Sequence, residues 1–156
     1  MAPVFRTMSV NIAMSLVSIK DILKSDKPDL LFVQEINNST EVVSDSVNRL
    51  GYSVECNVDP LHSTLPGTAI LWKTNIKVSE INQLIERRAQ SIKCAGETFF
   101  NVYAPSGSGN RRERWNFFND LFAHILQVGG DRLPVMAGDW NAILEQCNTT
   151  KNFESK

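Results

Sequence analysis

Apolar residues recur along this chain with two different periods. Thr7–Ile12 is a short strand-like run, and Leu16, Ile19 and Leu23 follow at helical spacing until Pro28 closes the segment. Leu30-Leu31-Phe32-Val33 is a continuous apolar run of strand length, the pattern of a strand covered on both faces. Asn38, with Glu41 three residues on, is placed to cap a helix that shows Val43, Val47 and Leu50 on one side and stops at Gly51. Strand signals then come in succession at Tyr52–Cys56, Thr68–Trp72 and Lys77–Ile81, and Ala89–Cys94 and Thr98–Tyr103 flank Gly96 as a hairpin. Arg112–Val128 reads as a helix with Trp115, Phe118, Phe122 and Ile125 on one stripe, ended by Gly129-Gly130. Leu133–Ala137 is the last strand, Gly138 begins a turn, and residues 144–156 have no periodicity.

The order is strand, helix, strand, helix, several strands, helix, strand. It implies one α/β domain, residues 1–156, in which helices cover packed sheets. A chain that stops soon after a strand is expected to be incomplete at its C-terminus. Composition narrows the class further. With 156 residues, 42% of them hydrophobic, the chain can bury roughly two thirds of its unfolded surface without disulfides or structural zinc. A net charge of −1 supplies no global field toward nucleic acid or an anionic membrane. That counts against a purely nucleic-acid-binding module, whose footprint is basic, and little against an enzyme that meets phosphates through a metal. Cys56, Cys94 and Cys147 are odd in number and contain no CxxC, so they read as free thiols of a reducing compartment. No signal-like apolar region opens the chain and no apolar run nears the roughly 20 residues of a membrane span. The expectation is a nuclear or cytoplasmic protein that is neither secreted nor membrane-bound.

Polar residues stand where the apolar strands end: Asn11, Glu35, Tyr103, and then Asp139 with Asn141. Each has an ordinary structural use. Asp139 in Gly138-Asp139-Trp140-Asn141 can form a turn or cap a helix, Asn11 can be a turn former, and Tyr103 a half-buried strand aromatic. Glu35 is more informative, because a carboxylate after four apolar residues and a glutamine needs a partner if it is buried. Taken together they are oxygen-rich, the donor chemistry that Mg²⁺ or Mn²⁺ prefers. Arg111 and Arg112 open a helix, where the macrodipole disfavours cations; they are either a solvated helix start or contacts to a phosphate backbone.

Five segments in this order resemble the exonuclease–endonuclease–phosphatase superfamily: Ser9-Val10-Asn11-Ile12, Pro28 to Glu35, Gly67-Thr68-Ala69-Ile70-Leu71, Asn101-Val102-Tyr103-Ala104-Pro105 and Gly138-Asp139-Trp140-Asn141. Within it the chain is most similar to the apurinic-type endonuclease domain of non-LTR (LINE-type) retrotransposons. The resemblance implies a four-layered α/β/β/α sandwich (DNase I-like), here its N-terminal two thirds. It implies that Glu35 ligates a divalent metal, Mg²⁺ or Mn²⁺, with Asn11 beside it. It further implies that Tyr103 contacts the scissile phosphate or leaving oxygen, that Asp139 aligns or deprotonates the attacking water, and that Asn141 hydrogen-bonds the phosphate. The implied substrate is DNA, with RNA, inositol phosphate or sphingomyelin as alternatives, and a catalytically inactive remnant serving as a binding module as the non-enzymatic one. Three departures stand out. The superfamily's closing Ser-Asp-His has no counterpart, since the histidines are His62 in a loop and His124 inside the last helix. Ala13 stands where the apurinic-repair branch commonly has an acidic residue, and Trp140 replaces a phenylalanine. Loss of a general acid–base group typically costs about 10²–10⁴-fold in rate. These 156 residues assayed alone are therefore expected to nick supercoiled plasmid in Mg²⁺ at least about 100-fold more slowly than a version carrying the Ser-Asp-His segment; equal rates would refute the expectation.

Overall fold

Two strand pairs, each joined through a helix, organise the molecule. The computed structural model describes residues 4–62, 64–107, 111–130 and 132–141. The first half runs β1 (Thr7–Asn11), α1 (Leu16–Ser25), β2 (Leu30–Ile36), α2 (Thr40–Val47), a single 3₁₀ turn (Asn48–Leu50), β3 (Tyr52–Asn57) and β4 (Gly67–Lys73). The second runs β5 (Val78–Ile85), β6 (Ala89–Cys94), β7 (Glu97–Tyr103), α3 (Arg111–Val128) and β8 (Val135–Asp139). Among the described residues they form two four-stranded sheets, ordered β1-β2-β4-β3 and β5-β6-β7-β8. β1 pairs parallel to β2 and β7 parallel to β8, while the other neighbours are antiparallel. The second sheet, read from β8 to β5, thus repeats the strand directions of the first.

Alternating side chains build three apolar layers. Leu31, Val33 and Ile36 of β2 pack with Ile19, Leu23, Val43 and Val47 of α1 and α2. Leu30 and Phe32 point the other way and meet Ile70, Ile92 and Phe99 between the sheets, where Phe32 stacks on Phe99. Phe100, Val102 and Ala104 receive Phe117 and Leu121 of α3. The layer order is helix, sheet, sheet, helix, the α/β/β/α sandwich that the resemblance implied. Cys56 and Cys94 are free and buried, and burial pushes the Cys56 thiol up to about 12; Cys147 and the whole of the aperiodic stretch 144–156 lie outside the described residues.

Several expectations shift by a residue or two, each for a visible reason. Ser39, not Asn38, caps α2, its hydroxyl accepting from the Val42 N–H. β5 runs on to Ile85 and does not stop at Ile81, because β6 pairs with its second half as well. The last strand starts at Val135, leaving Leu133 94% exposed. Gly138 lies inside that strand and begins no turn: a Cβ there would sit 1.9 Å from the Val102 carbonyl oxygen, so close strand approach is what requires glycine. The α3 stripe is corrected too. Phe117 and Leu121 are its buried residues, whereas Trp115 is 68% and Phe122 52% exposed. The helix carries large apolar residues on more than one side, and the apolar face of β7 selects which side turns inward.

Toward one end of the sandwich the space between the sheets turns from apolar to polar. Gln34 and Asn101, both fully buried, follow Phe32 and Phe99 on their strands. The Gln34 amide donates to Asn101 Oδ1 at 2.7 Å, and Asn101 Nδ2 donates to the carbonyls of Val33 and Ala69 at 3.0 and 2.9 Å. Asn101→Leu would take the donor from the Val33 and Ala69 carbonyls and leave the Gln34 amide only its contact to Ser9 Oγ, each lost bond costing about 1–3 kcal/mol. Urea denaturation should show a loss of about 3 kcal/mol or more at unchanged m-value; a loss under about 1 kcal/mol would mean the bridge holds little.

Candidate active site

β1, β2, β7 and β8 all end beyond this buried amide layer, and the polar residues at their ends meet there. Asn11 lies opposite Gln34, and Tyr103 opposite Asp139, in the strand registers. Asn11 Nδ2 donates to Glu35 Oε1 at 2.7 Å and to Asp139 Oδ2 at 3.3 Å, joining the two sheets. Since one nitrogen touches both carboxylates, those oxygens are no more than about 6 Å apart. The Tyr103 hydroxyl donates to Glu35 Oε1 at 3.3 Å. Asp139 Oδ1 accepts from the Asn141 backbone N–H at 3.1 Å, and Asn141 Nδ2 donates to the Ala104 carbonyl at 2.8 Å. All five residues singled out at strand ends therefore converge. Asn11, Asp139 and Asn141 also line, with Ser9, Gln34 and Trp140, an open depression of about 770 Å³.

Local backbone geometry explains how Glu35 reaches this place. Strict alternation on β2 would turn it toward the helix side with Leu31 and Val33. Instead the register with β4 slips between Gln34 and Ile36, a β-bulge, and Glu35 takes φ +56°. The bulge returns Ile36 to the helix-side core and releases the carboxylate from it. Asn141 also has a left-handed backbone, φ +44°. For a non-glycine residue such a conformation costs of order 1–3 kcal/mol and is concentrated at functional sites.

The electrostatics favour a bound cation. Among the described residues neither Glu35 nor Asp139 has a Lys or Arg partner, so two carboxylates share one amide with no compensating positive charge. Among the described residues no third His, Cys, Asp or Glu joins them there. A hard ion such as Mg²⁺, held through one or two carboxylates while keeping several waters, fits that donor set. Asn11 turns its amide nitrogen to the carboxylates, and its side-chain oxygen accepts from the Ala13 N–H at 3.0 Å. Burial and then the Glu35 charge raise the Tyr103 pKa, so its hydroxyl remains a donor across neutral pH.

The sequence reading missed Arg88. Its guanidinium lies 4.7 Å from the centre of the Tyr103 ring and its backbone carbonyl accepts from the Tyr103 N–H. Nothing in Glu86-Arg87-Arg88 distinguishes it from a solvated turn, and only the pairing of β6 with β7 brings it to the site. Arg111 and Arg112 occupy the exposed first turn of α3 at this end. His62 lies on the β3–β4 loop with Nδ1 2.6 Å from Asp59 Oδ2, and His124 is within α3.

Two four-stranded sheets covered by helices on their outer faces define the class as an α/β/β/α sandwich. Residues 8–146 match the sequence profile of the Endonuclease/Exonuclease/phosphatase family, and the chain belongs to that family. No match is found by sequence among curated proteins. Solved structures share the fold. An AP endonuclease from Archaeoglobus fulgidus superposes with a TM-score of 0.78 at 20% identity, over 95% of this chain and 62% of its own. The human Nocturnin catalytic domain with bound sulfate gives 0.70 at 20% identity, over 88% and 64%. A 3′ phosphatase from Neisseria bound to a product DNA hairpin gives 0.72 at 18% identity, over 88% and 58%. The chain thus spans a little under two thirds of these structures' length.

Glu35→Gly tests whether the backbone at the bulge is strained in the service of the side chain. Glycine adopts φ +56° without steric cost, and the change also removes one of two neighbouring like charges. The variant is expected to be more stable by about 1 kcal/mol in urea denaturation. A destabilised variant would show that the carboxylate contributes more to folding than its conformation costs.

Proposed function

We propose that this chain is the larger part of a divalent-metal-dependent phosphodiesterase domain, the DNA-nicking endonuclease of a non-LTR retrotransposon. One observation carries the reading: Glu35 and Asp139, from different sheets and 104 positions apart in the chain, share the Asn11 amide without a cationic partner among the described residues. The retrotransposon assignment rests on the strand-end motifs, and the DNA substrate is supported by a neighbour of this fold bound to a DNA hairpin.

Glu35, with Asn11 beside it, forms the metal side of the site, and Mg²⁺ or Mn²⁺ there would supply positive charge against the phosphoryl oxygens as negative charge builds on them. The chain's own groups do the rest. Asp139 is fixed from both sides, by the Asn141 N–H and by Asn11, and is the base that takes a proton from the attacking water. Water adds to phosphorus, the bond from phosphorus to the 3′-oxygen breaks, and the 3′-oxygen leaves and takes a proton from solvent to become a hydroxyl that can prime reverse transcription, while Asp139 releases its proton to solvent. Tyr103, kept protonated by burial and by Glu35, offers its hydroxyl to the phosphate or the leaving oxygen. Asn141, tied through Nδ2 to Ala104, hydrogen-bonds the phosphate and fixes its position, and Arg111 and Arg112 contact the strand's backbone.

In a domain carrying the Ser-Asp-His segment, Asp139→Asn should lower nicking by about 10²–10⁴-fold with DNA affinity nearly unchanged. Glu35→Gln should weaken Mn²⁺ binding, read directly by electron paramagnetic resonance, along with activity. Nicking by wild type in EDTA, or by Glu35→Gln at the wild-type rate, would overturn the reading.

A further inference from the structure

Cations are distributed unevenly between the two ends of the sandwich. Every Lys or Arg ion pair with a carboxylate among the described residues lies away from the strand ends that form the site: Arg6–Asp26, Lys73–Asp29, Lys93–Glu80 and Arg132–Glu97. At the site end, three half-buried arginines rest on main-chain carbonyls. Arg87 Nη1 lies 3.5 Å from the Pro66 oxygen, Arg88 Nη1 3.5 Å from the Tyr103 oxygen, and Arg114 Nη2 2.7 Å from the Asn141 oxygen. None of the three has a carboxylate partner among the described residues. A guanidinium carries five N–H donors in a rigid fork, and one carbonyl contact leaves most of them free.

The backbone sets where these arginines stand. Arg87 and Arg88 belong to the turn between β5 and β6, while Arg114 is anchored just past the end of β8. Buried Asn57 holds the turn: its side-chain oxygen accepts from the Arg87 N–H at 2.9 Å, and its Nδ2 donates to the Ile85 and Ala89 carbonyls. Neighbouring strands are about 4.8 Å apart, so two to three strand spacings, on the order of 10–15 Å, separate Arg87 from Arg114, with Tyr103 and Asp139 between. A single phosphodiester group is too small to engage both.

Resting on the phosphodiesterase reading above, we propose that Arg87 and Arg114 bracket the site as contacts to phosphates on either side of the scissile one. The site is then built for a polyanionic chain, an oligonucleotide strand, and against a substrate with one diester phosphate such as a lipid headgroup. Each phosphate contact adds about one unit to the salt dependence of binding.

The test compares two probes on the 156-residue chain in Ca²⁺, which supplies the site's divalent charge: a fluorescently labelled 12-nucleotide DNA strand and the p-nitrophenyl ester of thymidine 5′-monophosphate. Arg87→Ala and Arg114→Ala should each weaken 12-mer binding by about 3–10-fold and lower the slope of log K against log salt by about 1. Arg87→Lys should keep the slope and Arg87→Ala the affinity for the mononucleotide ester, which separates a lost contact from a misfolded protein. An unchanged salt slope, or equal loss for both probes in Arg87→Ala, would overturn the bracket. Wild type that binds the ester but not the 12-mer would sink this proposal and leave the phosphodiesterase reading standing; binding of neither would sink both.

Discussion

The amide bridge between Gln34 and Asn101 sets the height at which the two sheets meet. Apolar packing between sheets is non-directional: Phe32 stacked on Phe99 holds the sheets together through many weak contacts, none of which selects one register by itself. Hydrogen bonds between buried amides do select one. Asn101 is tied at once to Gln34, to the Val33 carbonyl and to the Ala69 carbonyl, so β7 is locked to two strands of the opposite sheet. In a low dielectric those bonds are strong and their absence is costly. Glu35 is the next residue after Gln34 and Tyr103 the second after Asn101, so fixing the bridge fixes the distance between carboxylate and phenol.

Above the bridge the chain gives up local stability. Glu35 and Asn141 both hold left-handed backbones without being glycine, and Glu35 and Asp139 hold like charges near each other. In the Asn11 amide each carboxylate has a hydrogen-bond donor but no positive charge. The arrangement is tolerable because the layers beneath it are well packed and the amide layer rigid. Its chemical use, on the proposed reading, is that two fixed, uncompensated carboxylates would attract a cation and one of them would receive a proton. Gly138 belongs to the same economy, since a side chain there would push β8 off β7 and carry Asp139 away from Tyr103.

Much of this was legible in the chain. Apolar runs ending in Asn11, Glu35, Tyr103 and Asp139 located the strands and the residues at their ends, because strand period and burial leave a one-dimensional trace. What escaped depends on partners remote in sequence. The glycine at 138 signals equally a turn or a close approach, and only the Val102 carbonyl decides. On α3, Trp115 and Phe122 look as core-like as Phe117 and Leu121; the choice belongs to β7. The role of Asn101 is invisible without the facing sheet, and so is that of Arg88. The bulge at Glu35 falls between, since the residue was found but the backbone twist that presents it was not.

A near-neutral chain is a poor advertisement for handling a polyanion, yet the three-dimensional charge arrangement changes the argument. With 16 Lys and Arg against 17 Asp and Glu, global attraction is absent, and any field that matters must be local. The described ion pairs neutralise charge on the far side of the molecule, while at the site end guanidinium groups sit on carbonyls that orient them without cancelling them. A carboxylate partner would occupy the same fork that a phosphate needs. Half-burial restricts the rotamers of Arg87, Arg88 and Arg114 before any ligand arrives, so less entropy is lost on contact than for a free surface lysine. On the proposed reading, the acidic centre would attract a cation and the arginine rim would receive the phosphates on either side, two opposite demands met within a few strand spacings because the fold separates them by sheet position.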